Sequence, residues 1–307
     1  MPNISTISGL QFPSDLAGEM FNAVRAHSSL ARLSAARPQT FAGVTEFVFS
    51  IDGEAEIVGE GLQKSPGEAE LKTVKRTPVK FVYQHRVSDE FLNLSDEARV
   101  PVLQAFAEGF STVIARGMDI AAFHGINPKT GLASDVVGGN NFDAIVTNTV
   151  DYDGDAIAAD DALDDAIALV ADENRIVTGM ALSHLFGRDL AKVKVNGVVQ
   201  YPEFRFGGAP TSFAGRAIDV NSTVNRKIAE STKRDMAIVG DFARAFRWGY
   251  AKTIPLEVIQ YGDPDGLGDL KRANQVVLRS EAYIGWAILD AKSFSRVVET
   301  VAAGQIS

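Results

Sequence analysis

The alternation of apolar and polar positions changes period several times along the chain, and each change marks an element. Within VTEFVFSIDGEAEIVGE at 44–60, Val44, Phe47, Phe49 and Ile51 alternate in strand fashion with some irregularity, and Asp52-Gly53 supplies a turn signal. From Gly59 to Pro78 the chain turns polar, as GEGLQKSPGEAELKTVKRTP, before Val79, Phe81, Tyr83 and Val87 resume the alternation. Two strand-like flanks around a long polar excursion predict an extended β-hairpin projecting from the body. A compact domain has little use for such a segment. A protein that lays an arm across its neighbour does, because interchain contacts offset the entropy of ordering it.

The strongest helical period follows. Leu103, Phe106, Phe110, Val113, Ile114, Gly117 and Ala121 recur every three or four residues and predict one long helix over about 96–123. Ser95 is its N-cap, and Asp96 and Glu97 sit favourably against the helix dipole. Pro101 either kinks this helix or marks its true first turn, and the helix ends near Gly125. A second helix is predicted over about 155–171, with Leu163, Ile167 and Val170 on one side and aspartates on the other. RIVTG then reads as a buried strand, MALSHLFGRDLAK as a short helix and VKVNGVVQY as a hairpin turning at Asn196-Gly197. AIDVNSTV and MAIVGDF add two short strands, so the middle of the chain reads as an α/β unit. Beyond about 252, IPLEVIQYG and NQVVLRSEAYIGWAIL are strand-like around the polar loop DPDGLGDLKRA, and a final short helix is expected over Lys292–Val301. At the other end an amphipathic segment runs from Asp15 to about Ser34. The first dozen residues have no period and read as an arm that needs a partner surface.

Composition narrows the functional classes. With 307 residues, 46% of them hydrophobic and 22% charged, the chain can bury a real core in one large domain or two modest ones. It has no cysteine, which removes disulfides, thiolate metal sites and cysteine nucleophiles. No apolar run reaches bilayer length, and MPNISTISGLQFPSDL has no signal-peptide pattern. A formal charge of −9 argues against a dedicated nucleic-acid binder, although Arg205, Lys227, Lys233 and Arg234 are candidates for a local basic patch.

Catalytic chemistry finds little support. His27, His85, His124 and His184 are dispersed, no serine lies in GxSxG, and no glycines form GxxxxGK or a GxGxxG between strand and helix. Asp151-Tyr152-Asp153-Gly154-Asp155 has the look of a calcium loop, but Ala156 and Ala162 stand where the EF-hand needs glycine and glutamate. Asp263, Asp265 and Asp269 form a second acidic cluster, able to meet a hard cation or simply to solvate an exposed loop. No catalytic residue, metal site or cofactor is expected. The picture is of a structural subunit that packs against copies of itself.

A succession of short motifs gives that picture a family. VSDEFLNLS at 87–95 leads into the long helix and on to GMDIAAFHGINPKTGL at 117–132, in which Asp119, Phe123, Gly125, Pro128 and Gly131 fall in a characteristic order. GGAP at 207–210, IVGDF at 238–242 and the closing VVLRSEAYIGWAILDAKSF follow, and Glu60-Gly61 stands just before the projecting loop, without the tryptophan often found ahead of it. Over nearly its whole length the chain resembles the HK97-fold major capsid proteins of tailed double-stranded DNA bacteriophages.

The resemblance implies an α+β, HK97-like capsid fold. Residues 1–43 would form the N-terminal arm, and 44–87 the extended E-loop hairpin with its flanking strands. Residues 88–130 would carry the long spine helix of a peripheral P-domain, 131–250 an α/β axial A-domain, and 251–307 would return to the P-domain and the C-terminal segment. It implies assembly into hexamers and pentamers of an icosahedral shell, with intersubunit contacts through 1–40 and 59–78. The implied partners are a portal, packaged double-stranded DNA contacted non-specifically, a decoration protein and a separate scaffolding protein, the last because the chain starts at Met1 almost directly on the arm. The implied location is the virion capsid, after synthesis and assembly in the bacterial host cytoplasm, with no membrane. Some relatives join an E-loop lysine to a neighbour's asparagine, which makes Lys64, Lys72, Lys75 and Lys80 cross-link candidates. An encapsulin-like cellular shell is the near alternative, though the unpatterned first dozen residues and the E-loop length favour a virus. An acidic metal-dependent enzyme using Asp263–Asp269 and another viral structural protein, such as a decoration or tail component, are the more distant ones.

Overall fold

The computed structural model describes residues 27–52, 56–61, 63–64, 68–93, 96–154, 156–226, 231–252 and 256–300. In chain order the elements are α1 (Ser29–Leu33), β1 (Val44–Asp52), β2 (Glu68–Arg76), β3 (Pro78–Ser88), α2 (Asp96–His124), α3 (Phe142–Ile145), β4 (Thr149–Tyr152) and α4 (Ala159–Asp172). They continue with β5 (Gly179–Leu182), α5 (His184–Leu190), β6 (Lys194–Val195), β7 (Val198–Val199), β8 (Ser212–Phe213), β9 (Arg216–Val220) and β10 (Lys233–Gly240). The last four are β11 (Phe246–Lys252), β12 (Leu256–Ile259), β13 (Gln275–Ile288) and β14 (Phe294–Thr300).

Two sheets organise the body. In the first, β3 runs antiparallel along one edge of β13, while β11 and β12 lie end to end along the other. The second has the order β4-β14-β10-β5-β9-β8 and is mixed, with parallel pairing only for β14/β4 and β5/β9. The long helix α2 packs on β3 and β13 of the first sheet, and α4 lies over β14, β4 and β10 of the second. Their cores are distinct apolar clusters. One joins α2 to the first sheet around Phe110, Phe123, Phe142 and Trp286, and the other lies beneath α4 and α5 around Leu163, Phe186 and Val239.

Most predicted elements stand where the periodicity placed them. α2 runs to His124 and is stopped by Gly125 at φ 66°, and Pro101 does not mark its start because the helix begins at Asp96. Its N-terminal half buries one stripe, but almost every side chain from Ile114 to Ile126 is buried, since the second sheet and α3 cover the other sides. The Asn196-Gly197 hairpin is present, with both residues at positive φ as a tight I′ turn needs. α4 begins four residues later than predicted, at Ala159. Only residues 27–34 of the amphipathic segment at 15–34, helical over Ser29–Leu33, lie among the described residues, and neither the first dozen residues nor Gly53 does.

Three expectations are corrected. The partner of β1 is not the apolar-alternating stretch 79–87 but the polar stretch ahead of it: Phe49 faces Leu71 and Phe47 faces Thr73, while 79–87 pairs with β13. Strand β5 starts only at Gly179 and takes in Met180–Leu182, which the periodicity assigned to the following helix. The final helix expected over Lys292–Val301 is a single 3₁₀ turn at Ala291–Ser293 followed by strand β14. As a strand, Phe294–Thr300 satisfies its backbone against β10 on one side and β4 on the other, and buries Val297 and Val298. Tertiary pairing overrides a weak local preference there.

The chain entering β1 is seated by a glycine pair. Gly249 of β11 faces Gly285 of β13, and the segment 37–39 crosses the sheet directly above them. The Arg37 amide donates to the Trp248 carbonyl at 2.8 Å, and Gln39 Nε2 donates to the Arg76 carbonyl at 3.0 Å. A Cβ at residue 249 would lie 1.9 Å from the Arg37 carbonyl oxygen. Gly249→Val is therefore expected to lift the segment off the sheet and lower stability by about 1–3 kcal/mol. Urea denaturation of the unassembled subunit measures it, and an unchanged midpoint would contradict the seat.

Candidate functional site

The β1–β2 hairpin is a two-stranded sheet of its own, and its two faces differ. Side chains that oppose one another across an antiparallel pair, and those two residues apart, share a face. Phe47 and Phe49 on β1 therefore line up with Leu71 and Thr73 on β2, and they are 70%, 63% and 63% exposed for Phe47, Phe49 and Leu71. The opposite face carries half-buried Val48 and Val74 and the Glu46–Arg76 ion pair at 3.4 Å. Towards the tip, Ile57 is fully exposed. The alternation of β1 is thus real, but its large apolar residues face outward. The polar composition of β2 was the available sign, because a strand with Thr73 and Lys75 opposite such a face has no core to cover it.

The root of the hairpin is anchored by a buried side chain. Arg76, 1% exposed, donates from Nη2 to the Pro38 carbonyl at 2.6 Å, tying the last residue of β2 to the segment that crosses the sheet. Beside it, β3, α2 and the loop 126–137 enclose an open apolar groove of about 700 Å³, lined in part by Val79, Phe81, Val113, Gly117, Pro128 and Val136. Gly117 lets the Phe81 ring approach α2, since a Cβ there would meet it at 3.3 Å. Val113, counted in the buried stripe by its spacing, is half exposed in this groove.

The four cross-link candidates separate by environment. Lys80 is engaged within its own chain, 2.7 Å from Glu281 and over the Tyr283 ring, and its pKa is raised chiefly by the Glu281 hydrogen bond. Lys64, Lys72 and Lys75 are exposed and make no ion pair among the described residues. Of the basic-patch candidates, Arg234 is paired with Glu299 at 2.6 Å, Arg205 and Lys233 are exposed and far apart in sequence, and Lys227 lies outside the described residues.

The acidic loop is not an open cation site. Arg86 reaches across from β3 and donates to both carboxylate oxygens of Asp265, to Asp263 at 3.4 Å and to the Gly268 carbonyl at 2.8 Å. The guanidinium hydrogen bond holds the Asp265 carboxyl down at about 2. Asp269 instead accepts from the Arg272 amide at 2.9 Å, so the three carboxylates do not converge. At the other acidic loop, Asp151 is an exposed residue of β4 and Asp155 lies outside the described residues.

Two buried polar clusters, assembled from distant segments, join the sheets at the C-terminal end of α2. Asp119 accepts from Ser28 Oγ at 2.6 Å, the Ser29 amide at 2.8 Å, the Leu30 amide at 3.3 Å and Thr223 Oγ1 at 3.2 Å. Ser29 Oγ and Arg32 meet Asp219 of β9 alongside, so two buried carboxylates hold α1 in place. Burial pushes Asp119 up to about 7 against the pull of its donors. One turn on, His124 Nδ1 lies 3.0 Å from Asp143 and its Nε2 lies 3.0 Å from the Thr223 carbonyl, while Arg296 Nη1 bonds both Asp143 and Asp235. Burial, reinforced by Asp143, pushes Asp235 up to about 8. Desolvation lowers His124 and raises Asp143, but the facing opposite charges outweigh it in both, so His124 is raised and Asp143 lowered.

His124, Asp143 and Asp235 form the one group among the described residues whose ligand atoms lie close enough to hold a metal, within 4.8 Å of one another. The set does not fit one. The Arg296 guanidinium already bridges both carboxylates, and both histidine nitrogens are used.

The pKa directions set a pH dependence. Asp119, Asp235 and His124 are raised above their ordinary values, so the folded chain binds their protons more tightly than the unfolded chain. Their contribution is complete at pH values below the unfolded pKa of each and is lost as pH rises through about 7 for Asp119 and about 8 for Asp235. Asp143, lowered, has the reverse sense and costs stability only as pH falls below its ordinary 3.8. The unfolding midpoint is therefore expected to fall between about pH 5 and pH 9, each proton contributing at most about 1.4 kcal/mol per pH unit. Thermal melts at constant ionic strength measure this, and Asp119→Asn and Asp235→Asn should each flatten the slope. A profile flat over that range would contradict the two raised carboxyls.

Comparison with known proteins gives a consistent set of relatives. No protein-family model matches the chain, and no curated sequence matches it. Among solved structures, a chain from Mycobacterium phage Ogopogo superposes with a TM-score of 0.76 and 33% identity, over 89% of this chain and 92% of that one. A chain from Gordonia phage Cozz has a TM-score of 0.69 and 26% identity, covering 91% and 86%. The capsid of an empty GTA particle computed with C5 symmetry shares the fold, with a TM-score of 0.61 at 12% identity over 90% and 97%.

Proposed function

The chain belongs to the HK97-fold family of tailed-phage major capsid proteins, and from that premise we propose that its projecting hairpin and N-terminal arm are the contacts that join copies into the shell. Its role is structural: it is a subunit that self-assembles with copies of itself into an icosahedral capsid and resides in the virion. The encapsulin alternative is not favoured, the similar chains being those of phages and a GTA capsid.

The observation that carries the contact is the exposed face of Phe47, Phe49 and Leu71 on a hairpin that hydrogen-bonds into neither sheet. Leaving that much aromatic surface in water is costly, and covering it is favourable by roughly 25 cal/mol per Å² buried. The apolar groove between β3 and α2, lined in part by Gly117 and Pro128, is the matching surface on a neighbouring copy. In this reading α2 with the first sheet is the P-domain and the second sheet is the A-domain, organised as 44–87, 88–130, 131–250 and 251–307, with 1–43 as the arm. The 251–307 return serves both, since β13 is central to the first sheet and β14 lies within the second. Hexamers and pentamers, a portal, a separate scaffolding protein, packaged double-stranded DNA held without specific contacts, a decoration protein and assembly in the host cytoplasm complete the proposal. Catalysis has no part in it. If a covalent cross-link forms, Lys64, Lys72 or Lys75 supplies the amine more readily than Lys80, whose amine is held by Glu281.

Sedimentation and negative-stain imaging test the contact. The wild-type chain should form rings or closed shells, and a Phe47→Ser, Phe49→Ser double variant should remain folded, by circular dichroism, yet unassembled. A wild-type chain that stays monomeric even with a scaffolding protein supplied, or a double variant that assembles normally, would contradict it.

A further inference from the structure

The excursion between β7 and β8 presents an aromatic residue in an unusual way. Phe206 is 97% exposed and has φ 57° and ψ 30°, a left-handed conformation that bulky side chains avoid. The loop beneath it is firmly built. Phe204 is buried and packs edge-on against Phe213 at 5.4 Å, and Tyr201 meets the same ring at 5.6 Å. Gly208 closes the turn so tightly that a Cβ there would lie 2.0 Å from the Glu203 carbonyl oxygen. The Arg205 guanidinium lies 5.1 Å from the centre of the Phe206 ring, and among the described residues no carboxylate pairs with it. A buttressed loop therefore holds out an aromatic ring with a cation on it.

The same chain carries a surface of opposite character. On α4, Asp161, Asp164, Asp165, Ala168, Ala171 and Asp172 are exposed, and their spacing of three and four residues sets them in one stripe. No cation pairs with these four carboxylates among the described residues. Like charges at this spacing repel, so an approaching guanidinium is favourable. Ala168 and Ala171 leave a shallow apolar step beside the carboxylates where a ring can lie.

We propose that the Arg205–Phe206 tip of one copy seats on the acidic α4 stripe of the next copy around a ring. The inference rests on the shell reading above. A closed ring is built from a head-to-tail contact, which requires two different and mutually complementary patches on every copy. Both are present here, and Phe206, almost wholly exposed, is not satisfied within its own chain. Charge complementarity chooses the partner: the chain carries −9 overall, and this tip is a local cation facing a matching local excess of carboxylates.

The test compares assembly of the wild-type chain with that of Phe206→Ala, Arg205→Glu and an Asp164→Lys, Asp165→Lys double variant, by sedimentation velocity and negative stain with thermal melts alongside. All of these side chains are exposed, so the melts should match wild type. Each variant should need at least about tenfold more protein to assemble, as loss of an aromatic or charged anchor at an interface does. Combining Arg205→Glu with the lysine pair should restore assembly at least in part, because the charges are exchanged rather than removed. If wild type assembles and Phe206→Ala and Arg205→Glu assemble at the same concentrations, this contact is wrong and the shell reading stands. If wild type does not assemble even with scaffold, the shell reading fails and this inference fails with it.

Discussion

Replacing Arg296 by alanine is expected to cost about 3–5 kcal/mol of folding stability, the range for breaking a buried ion pair by removing one partner. Arg296 is 13% exposed at its side chain and joins Asp143 of α3 to Asp235 of β10, with Asp235 only 3% exposed. Without the guanidinium, two carboxyls face each other with only the His124 ring beside them. The second sheet then loses a tie that reaches from β14 through β10 to the end of α2. Urea denaturation of the unassembled subunit measures the loss. A double variant, Arg296→Met with Asp235→Asn, should lose less than Arg296→Ala, because it removes one of the two carboxyls that would face each other and fills part of the space the guanidinium leaves. A loss below about 1 kcal/mol for Arg296→Ala would place the group among weakly coupled surface pairs and contradict the buried network.

Phe142→Ala is the second large effect, with an expected loss of about 3–5 kcal/mol. Phe142 is fully buried and sits where the long helix meets both sheets. Its ring lies 5.5 Å from Phe123 of α2, 5.7 Å from Phe246 of β11, 5.0 Å from Phe294 of β14 and 6.0 Å from Phe242. Two of these four contacts are edge-on at 63° and 84°, the arrangement aromatic quadrupoles favour. Aromatic neighbours held by four different segments cannot all collapse into the space an alanine leaves, so the cavity cost is added to the lost transfer free energy. Phe142→Leu should recover more than half of the loss. An alanine variant within about 1 kcal/mol of wild type would contradict a tightly packed core around this ring.

Local pattern carried a large part of the architecture. The 29-residue helix is legible because a stripe of Leu103, Phe106, Phe110, Ile114 and Ala121 persists for many turns and Gly125 stops it at positive φ. The Asn196-Gly197 hairpin, β9, β10 and β13 follow from turn chemistry and from runs too apolar to lie at the surface. The succession of short motifs from Val87 to Phe294 pointed to the family that the 33% identical phage chain shows. The order of elements, the absence of cysteine chemistry and the expectation of a self-packing subunit were available in this way.

Other features depend on which segments meet, and no local period encodes that. β14 looked helical over 292–301 because nothing in its own residues shows that β10 and β4 offer free edges on both sides. Phe47 and Phe49 alternate as a core face would, yet they point outward, because β2 pairs with β1 and nothing covers this face of the pair among the described residues. Gly249 and Gly285 are unremarkable in strands until the segment 37–39 is laid over them. Asp119, Asp143, Asp235 and Arg296 are far apart in sequence and become two neighbouring polar clusters only where the sheets meet the end of α2. The physical reason is common to all four. Period and turn chemistry act over a few residues and determine what each segment is, whereas burial and charge pairing act between segments and decide which face is covered and by what.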